Sequence, residues 1–324
     1  MTYRRLSAGE KEVSKLCLGT GGFGTAVPRA EAFAQMDLFF ERGGNFFDSA
    51  RVYADWVPGG HGASEKTLGA WISERKTRDD VVISTKGAHP DLKTMNIPRM
   101  GNAEIRSDLE ESLKALGTDY IDIYLLHRDD LSRPVEEILT TLEACKNEGK
   151  IRHYGCSNWT RGRMEEAERI AARRGFEGFI CDQIWFGLGD INRAGITDTT
   201  MVTMDRDLYV WHGETNKAVM AYTSSCHGWF SRKLLGKPVS PAQDVVYDNE
   251  PNRRLLGKLP IWERELGAGA AQLVSAWVMS QSFPAVAISS FSSLGQLEEL
   301  SGAADIAFPP EILGEIAEIK KFVL

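Results

Sequence analysis

Cysteine is scarce in this chain: five residues, at 17, 145, 156, 181 and 226, among 324. The number is odd, the spacing is wide and no C-x-x-C occurs, so a disulfide framework, a thiolate metal site and a redox motif all lack support. The thiols sit mostly in apolar runs and read as small, reduced core residues. The six histidines show no i, i+3 or i, i+4 pairing, which argues against a metal-dependent hydrolase, and no metal is expected. No stretch reaches the roughly 18 uninterrupted apolar residues of a membrane span. Residues 1–5 lead into mixed polar sequence without the apolar core of a signal peptide, so a soluble, unexported, cytoplasmic protein is expected. An excess of positive charge is missing too: Lys and Arg number 38 against 45 Asp and Glu, a formal net charge of -7. Nucleic acid and anionic membrane are therefore poor partner classes, and a small molecule is the better one.

Hydrophobic residues make up 43% and charged residues 26% of the chain, ordinary values for a folded globular protein. Short apolar segments rich in β-branched and aromatic residues recur near 16, 45, 81, 121, 151, 178, 218 and 285. Helical patterns lie between most of them, as in Leu109, Leu113 and Leu116 at i, i+4, i+7, with glycine stops at Gly117, Gly149 and Gly175. Pro134 opens one helix, where its missing N–H does no harm. Strands that alternate with helices and run apolar on both faces imply a parallel sheet. Eight such units in one chain predict a single (β/α)8 TIM barrel domain spanning 1–324, since no Pro/Ser-rich linker or charge block divides the sequence. Two connections, 186–217 and 228–265, are long enough to be binding loops or lids after strands 6 and 7.

Barrel active sites lie at the C-terminal strand ends. There the sequence delivers polar residues in otherwise apolar segments: Asp48 with Tyr53 beyond it, Lys86, His127, Ser157 with Asn158, and Gln183. Buried charges need partners, so Asp48 and Lys86 on adjacent strands are expected to pair. The ammonium is expected to pull the Tyr53 phenol below its usual pKa near 10, making it a proton donor, with His127 orienting the same substrate oxygen. "GTGGFG" at 19–24 fits the dinucleotide pattern G-x-G-x-x-G, and Asp48 follows at a suitable distance. A Rossmann loop, however, runs straight into its helix, whereas here Pro28 intervenes and the helix begins around it. "HRDD" at 127–130 resembles a kinase catalytic loop, but Pro134 occupies the required asparagine position.

"FFDSARVY", "ISTKG", "IYLLHR", "YGCSN" and "DQIWF", in this order over nearly the whole chain, resemble the signatures of the aldo-keto reductase family. The resemblance implies a single (β/α)8 barrel that binds NADPH extended and reduces aldehydes and ketones, with Asp48, Tyr53, Lys86 and His127 as its catalytic tetrad. It implies that Gly19, Thr20 and Gly21 lie under the nicotinamide, that Ser157, Asn158 and Gln183 hold its carboxamide, and that Phe186 stacks on its ring. It further implies that Tyr222, Thr223, Ser224, Ser225 and Gly228 flank the cofactor, with Lys233 near phosphate and Arg253 near an adenosine 2′-phosphate. Ser290, Ser292, Gln296 and Glu299 map onto the adenine segment, but Leu300 stands where the family has asparagine and no basic residue occurs between Pro284 and Leu300. NADPH preference then rests on Lys233 and Arg253, and NADH use stays open.

Trp56 and Trp159 are expected to wall the substrate pocket, for an aryl carbonyl or a sugar face. Trp185 and Trp229 read equally well as pocket or packing. Some family members act mainly as nicotinamide-binding regulatory subunits, and the resemblance leaves that role, the direction of reaction and homo-oligomerisation open.

Overall fold

The computed structural model describes residues 1–6 and 11–321; of the expected span 1–324, residues 7–10 and 322–324 lie outside the described residues. Eight strands form a closed, all-parallel barrel: β1 (Leu16–Gly19), β2 (Phe46–Asp48), β3 (Val82–Gly87), β4 (Ile121–Leu126), β5 (Ile151–Ser157), β6 (Cys181–Trp185), β7 (Ala218–Tyr222) and β8 (Ala285–Ser289). β8 pairs with both β7 and β1, closing the ring. The expected fold class is thus the observed one, and every apolar segment singled out in the sequence overlaps a barrel strand.

The first six crossovers carry one long helix each: α1 (Arg29–Glu41), α2 (Ala63–Arg75), α3 (Asn102–Leu116), α4 (Val135–Asn147), α5 (Arg161–Arg174) and α6 (Arg206–Thr215). Gly117 and Gly175 stop α3 and α5 in the left-handed conformation, at φ 65° and 68°, where glycine is free of a Cβ clash. Pro134 occupies the N-cap of α4 rather than its first turn. Gly69 lets α2 lie against the end of α3, since a Cβ there would fall 2.4 Å from the Leu116 carbonyl oxygen. The two long connections are less open than expected. The second is mainly helical, with α7 (Trp229–Leu234), α8 (Pro241–Tyr247) and α9 (Glu250–Leu266) ahead of α10 (Ala270–Met279). The first keeps an irregular stretch, 186–205, broken by one short turn of helix before α6. After β8 come α11 (Leu294–Ser301) and α12 (Pro310–Lys320).

Side chains alternate across each strand, which sorts the core into two layers. Cys17, Phe46, Val82, Ile123, Leu125, Cys181, Met220 and Val286 fill the barrel. Val13 joins that cluster from an antiparallel ribbon, Tyr3–Arg4 with Val13–Ser14, which the sequence reading did not anticipate, and Leu6 joins it from just beyond the first of these strands. The opposite face of the strands packs on the helices through Leu18, Phe47, Ile83, Tyr124, Ile184 and Ala221. One step further along the inward row, the apolar filling gives way to Asp48, Ser84, Lys86, Ser157 and Gln183, all buried. The polar mouth is therefore the C-terminal end of the same rows that make the apolar floor.

Candidate active site

At the centre of the mouth Lys86 Nζ donates to Asp48 Oδ2 at 2.7 Å and to the Ser49 carbonyl at 2.5 Å. Asp48 Oδ1 accepts from Ser84 Oγ at 2.7 Å and from Gln183 Nε2 at 2.8 Å. Both charged groups are almost wholly buried. Hydrogen bonds to the carboxylate from Ser84 and Gln183, together with its counter-ion Lys86, offset a desolvation that would otherwise be prohibitive. Burial works against the ammonium, but Asp48 and the neighbouring phenol outweigh it, so the Lys86 pKa is raised.

Tyr53 reaches this pair from the turns that follow β2. The ammonium lies 4.7 Å from its ring centroid, with His127 at 5.9 Å and Trp56 at 6.3 Å, both edge-on. Gly21 backs the ring: a Cβ there would stand 3.6 Å from it. The expected downward pull on the phenol is corrected by the structure. Its pKa is raised, because burial exceeds the opposing effect of Lys86 and Asp48 acts in the same direction as burial.

His127 is buried beside Tyr53, and burial, then Arg128, His89 and Lys86, holds its pKa well below the usual histidine value. It is therefore neutral at physiological pH, and its Nδ1 is buried without a hydrogen-bond partner. Two neighbours were missed in the sequence reading. His89 packs its ring 4.7 Å from that of His127 and donates from Nδ1 to the Pro90 carbonyl at 2.6 Å. Burial and Arg128 push its pKa down to about 4. Arg128, 5% exposed, donates from Nη1 to the His127 carbonyl at 2.9 Å. Their signals were positional: His89 follows Lys86 by three residues, and Arg128 directly follows His127.

Ser157, Asn158 and Gln183 cluster beside this group. Ser157 Oγ donates to the Gln183 carbonyl at 2.7 Å. Asn158, left-handed at φ 63°, donates to the His127 carbonyl and Ser157 Oγ, and accepts from Tyr222 Oη at 2.6 Å and the Val202 amide at 3.1 Å. Thr20 donates to the Asp48 carbonyl through both its amide and its hydroxyl, and the Gly19 carbonyl accepts from Ser290 Oγ at 2.9 Å. The glycine motif thus borders the mouth, and its connection to α1 runs through turns and a bridge between Phe23 and Val27, not directly into the helix.

After β7, Thr223, Cys226 and His227 are left-handed at φ 56°, 52° and 53°, and Gly228 follows at 72°. Such strain in non-glycine residues concentrates where a backbone is shaped for a ligand. Ser224 Oγ in this turn is spent on the Ile288 carbonyl, while Ser225 stays partly exposed. Ser292 binds Gln296 Oε1 on the exposed approach to α11, and the Glu299 carbonyl accepts from Gln272. Lys233 and Arg253 lie in the helical connection after β7, each already paired: Lys233 with Asp244 at 2.8 Å and Arg253 with Asp248 at 2.9 Å.

Two expected contacts are corrected. Phe186 does not face the mouth: it is buried against Trp277 at 5.2 Å, Tyr209 and Phe283. Gln183 points inward, so Trp185 shares its side and Phe186 falls on the helix side with Ile184. Tyr222 and Trp185, 6.0 Å apart, supply aromatic faces at the ends of β7 and β6. Trp159 is 0% exposed, its indole donating to the Arg128 carbonyl and its ring packed on Phe179. The left-handed turn at Asn158 sends Trp159 outward, so it cannot wall a pocket. Trp229 is likewise buried. Trp56, at 59% exposed beside Tyr53, is free to meet a substrate.

Among the described residues no helix is long and apolar enough to cross a membrane. Residues 15–321 match the Aldo/keto reductase family. An uncharacterized oxidoreductase of Bacillus subtilis, YrpG, is 29% identical over 328 residues, 98% of this chain and 96% of its own. A probable voltage-gated potassium channel subunit beta of Oryza sativa subsp. japonica is 28% identical over 98% of this chain and 96% of its own. The crystal structure of a thermostable aldo-keto reductase with the inhibitor epalrestat shares the fold, with a TM-score of 0.71 at 23% identity over 99% of this chain and 100% of that one.

Proposed function

Given that the chain belongs to the aldo-keto reductase family, we propose that this oxidoreductase reduces aldehyde or ketone carbonyls, or oxidises the matching alcohols, with Tyr53 as the proton donor. The observation that carries this reading is the buried Asp48–Lys86 pair with its ammonium 4.7 Å from the Tyr53 ring, beside a neutral His127.

The raised phenol pKa means that Tyr53 holds its proton through neutral pH and delivers it to the substrate oxygen as negative charge builds there. Lys86, fixed by Asp48, stabilises the phenolate left behind. A neutral imidazole has one N–H to offer, and with His127 Nδ1 unpartnered the other nitrogen is the natural donor to the same oxygen, orienting the carbonyl toward Tyr53.

The residues present suit a nicotinamide cofactor. Ser157, Asn158 and Gln183 bring two primary amides and a hydroxyl to one corner of the mouth, the chemistry that pairs with a primary carboxamide, and Tyr222 or Trp185 offers an aromatic face. The strained turn after β7 provides backbone for phosphates. When bound, reduced nicotinamide supplies the hydride that the carbonyl carbon receives. Lys233 and Arg253 are committed to acids, so a 2′-phosphate competes for them and NADH remains a serviceable donor. Trp56 beside Tyr53 favours an aromatic or similarly flat substrate.

The test follows the absorbance of NADPH and NADH, in parallel, against an aromatic aldehyde, for the wild type and Tyr53→Phe. Loss of about 10²–10⁴ in turnover is expected for the variant; a Tyr53→Phe protein that keeps wild-type turnover refutes the assignment. The full-length similarity to the channel subunit favours a second reading, a nicotinamide-binding regulatory subunit. Cofactor binding without appreciable turnover toward good carbonyl substrates would select it.

A further inference from the structure

The irregular stretch after β6 is held at its start by α8, α9 and Lys320, through Asp190, Asn192 and the Leu188 carbonyl, and its last residues are fastened to three strand ends. The Met204 amide donates to the Trp185 carbonyl at 3.0 Å. The Val202 amide donates to Asn158 Oδ1 at 3.1 Å. The third fastening is Arg128, whose Nε donates to Thr200 Oγ1 at 2.8 Å and whose Nη2 donates to Asp198 Oδ2 at 3.1 Å. Asp198 Oδ1 in turn accepts from the Thr200 amide at 2.9 Å and its hydroxyl at 2.5 Å, so both acceptors belong to one tight turn.

Arg128 is well placed to matter beyond the loop. It is buried, its Nη1 holds the His127 carbonyl, and its own carbonyl accepts from Trp159. A buried guanidinium needs a carboxylate, and the nearer acids in sequence are engaged elsewhere: Asp129 with Arg163 at 2.9 Å, and Asp130 with the Ser132 amide and hydroxyl. Asp198 therefore answers its charge. The segment so held also walls a cavity of about 500 Å³ whose lining includes Trp185, Val202, Thr203 and Met204. Loss of the fastening would free the Asn158 amide on one side and change that wall on the other.

We propose that Arg128 is a positioning residue, latching the 198–200 turn over the barrel mouth and thereby holding Asn158 and the cavity wall beside Trp185 in their working arrangement. The inference rests on the functional reading above for its effect on turnover, but not for the latch itself. The positive charge that the latch keeps next to His127, His89 and Tyr53 also favours neutral imidazoles and an easier phenolate.

Asp198→Asn and Thr200→Val test the latch without touching Tyr53, Lys86, His127 or Arg128 itself, and Arg128→Met tests it from the other side. In Asp198→Asn, hydrogen exchange at the Val202 and Met204 amides is expected to speed up by about tenfold or more, with the barrel strands unchanged as the folding control. Turnover of an aromatic aldehyde is expected to show KM raised by about fivefold with kcat within about twofold, a split that general destabilisation would not give. Exchange at the wild-type rate in both Asp198→Asn and Thr200→Val overturns the latch, whatever the activity. Faster exchange with KM unmoved in an active enzyme overturns the positioning role. Faster exchange in a protein that shows no turnover even as wild type upholds the latch and instead defeats the reductase reading.

Discussion

Acid should find His89. Buried against His127, its imidazole is held to a pKa of about 4 by desolvation and by Arg128, with Arg99 adding to the effect and the Pro90 carbonyl and Asp198 opposing it. In the unfolded chain it titrates near 6.5, so between those values the unfolded state binds the extra proton and the native state does not. The stability that His89 contributes is therefore fully present above pH 6.5 and is lost as pH falls toward 4. The gap of about 2.5 units corresponds to roughly 3 kcal/mol at the acid end, a large share of a typical domain's stability. His89→Phe keeps an aromatic ring against His127 but removes the titration. At neutral pH the variant should be less stable by about 1 kcal/mol, for the lost bond to Pro90. Urea unfolding, followed by tryptophan fluorescence at pH 7 and pH 4.5, measures both effects. Carboxylates cancel in the comparison, and His127 largely does so because burial and Arg128, its main influences, are kept in both proteins, so the wild type should lose about 2–3 kcal/mol more than the variant between those pH values. Parallel losses in the two proteins would show that His89 is not held neutral by its surroundings, and the electrostatic account of the mouth would fall with it.

Removing one half of the central pair should be costly: Asp48→Asn leaves the Lys86 ammonium buried without its counter-ion and is expected to destabilise by about 3–5 kcal/mol, partly recovered by adding Lys86→Met. A loss below about 1 kcal/mol in urea unfolding would mean that the pair is solvated. Gly69→Ala pushes a methyl against the Leu116 carbonyl, 2.4 Å away before relaxation, and should cost about 1–3 kcal/mol; a neutral outcome in the same assay would show that α2 and α3 can separate freely. Asp248→Asn releases Arg253 and should lower KM for NADPH, but not for NADH, by about two- to fivefold, the worth of one competing exposed ion pair; equal effects on both cofactors would dissociate Arg253 from a 2′-phosphate.

The strands were legible because parallel barrel strands are apolar on both faces, so each stood out as a short run between helical patterns ended by glycine. The polar cluster at the mouth was legible for the converse reason: Asp48, Lys86 and His127 are polar residues at the ends of such runs, and a charge at a strand end needs an explanation that a charge on a helix face does not. The antiparallel ribbon was not legible, since Tyr3–Arg4 and Val13–Ser14 are two-residue strands, too short for an alternation to register. The helical content of 228–265 was hidden differently. Its helices are short or interrupted, with Pro241 and Pro251 in their first turns and Pro260 inside α9, and proline reads as a break even where a first turn tolerates it.

The misplacements at the mouth share one physical origin: position along a strand was read correctly, but facing was not. Phe186 follows the inward-pointing Gln183 by an odd number of steps, whereas Trp159 follows Ser157 by two, and the left-handed turn at Asn158 breaks the alternation there; both end in the helix layer. Counting by two from Gln183 would have chosen Trp185, and counting by two from Met220 would have chosen Tyr222. Charge was misjudged for a related reason. From the sequence, Lys86 was the only cation assigned to Tyr53, so the phenol pKa was expected to fall; in the folded chain Asp48 neutralises much of that cation's effect and enclosure dominates. The same enclosure gives Arg128 its influence, because a guanidinium that would be screened on the surface acts at the mouth on His127, His89, Tyr53 and Tyr222 together. The order of residues along the chain identifies which groups can meet at the mouth, whereas the direction of each pKa depends on what is shut in with them.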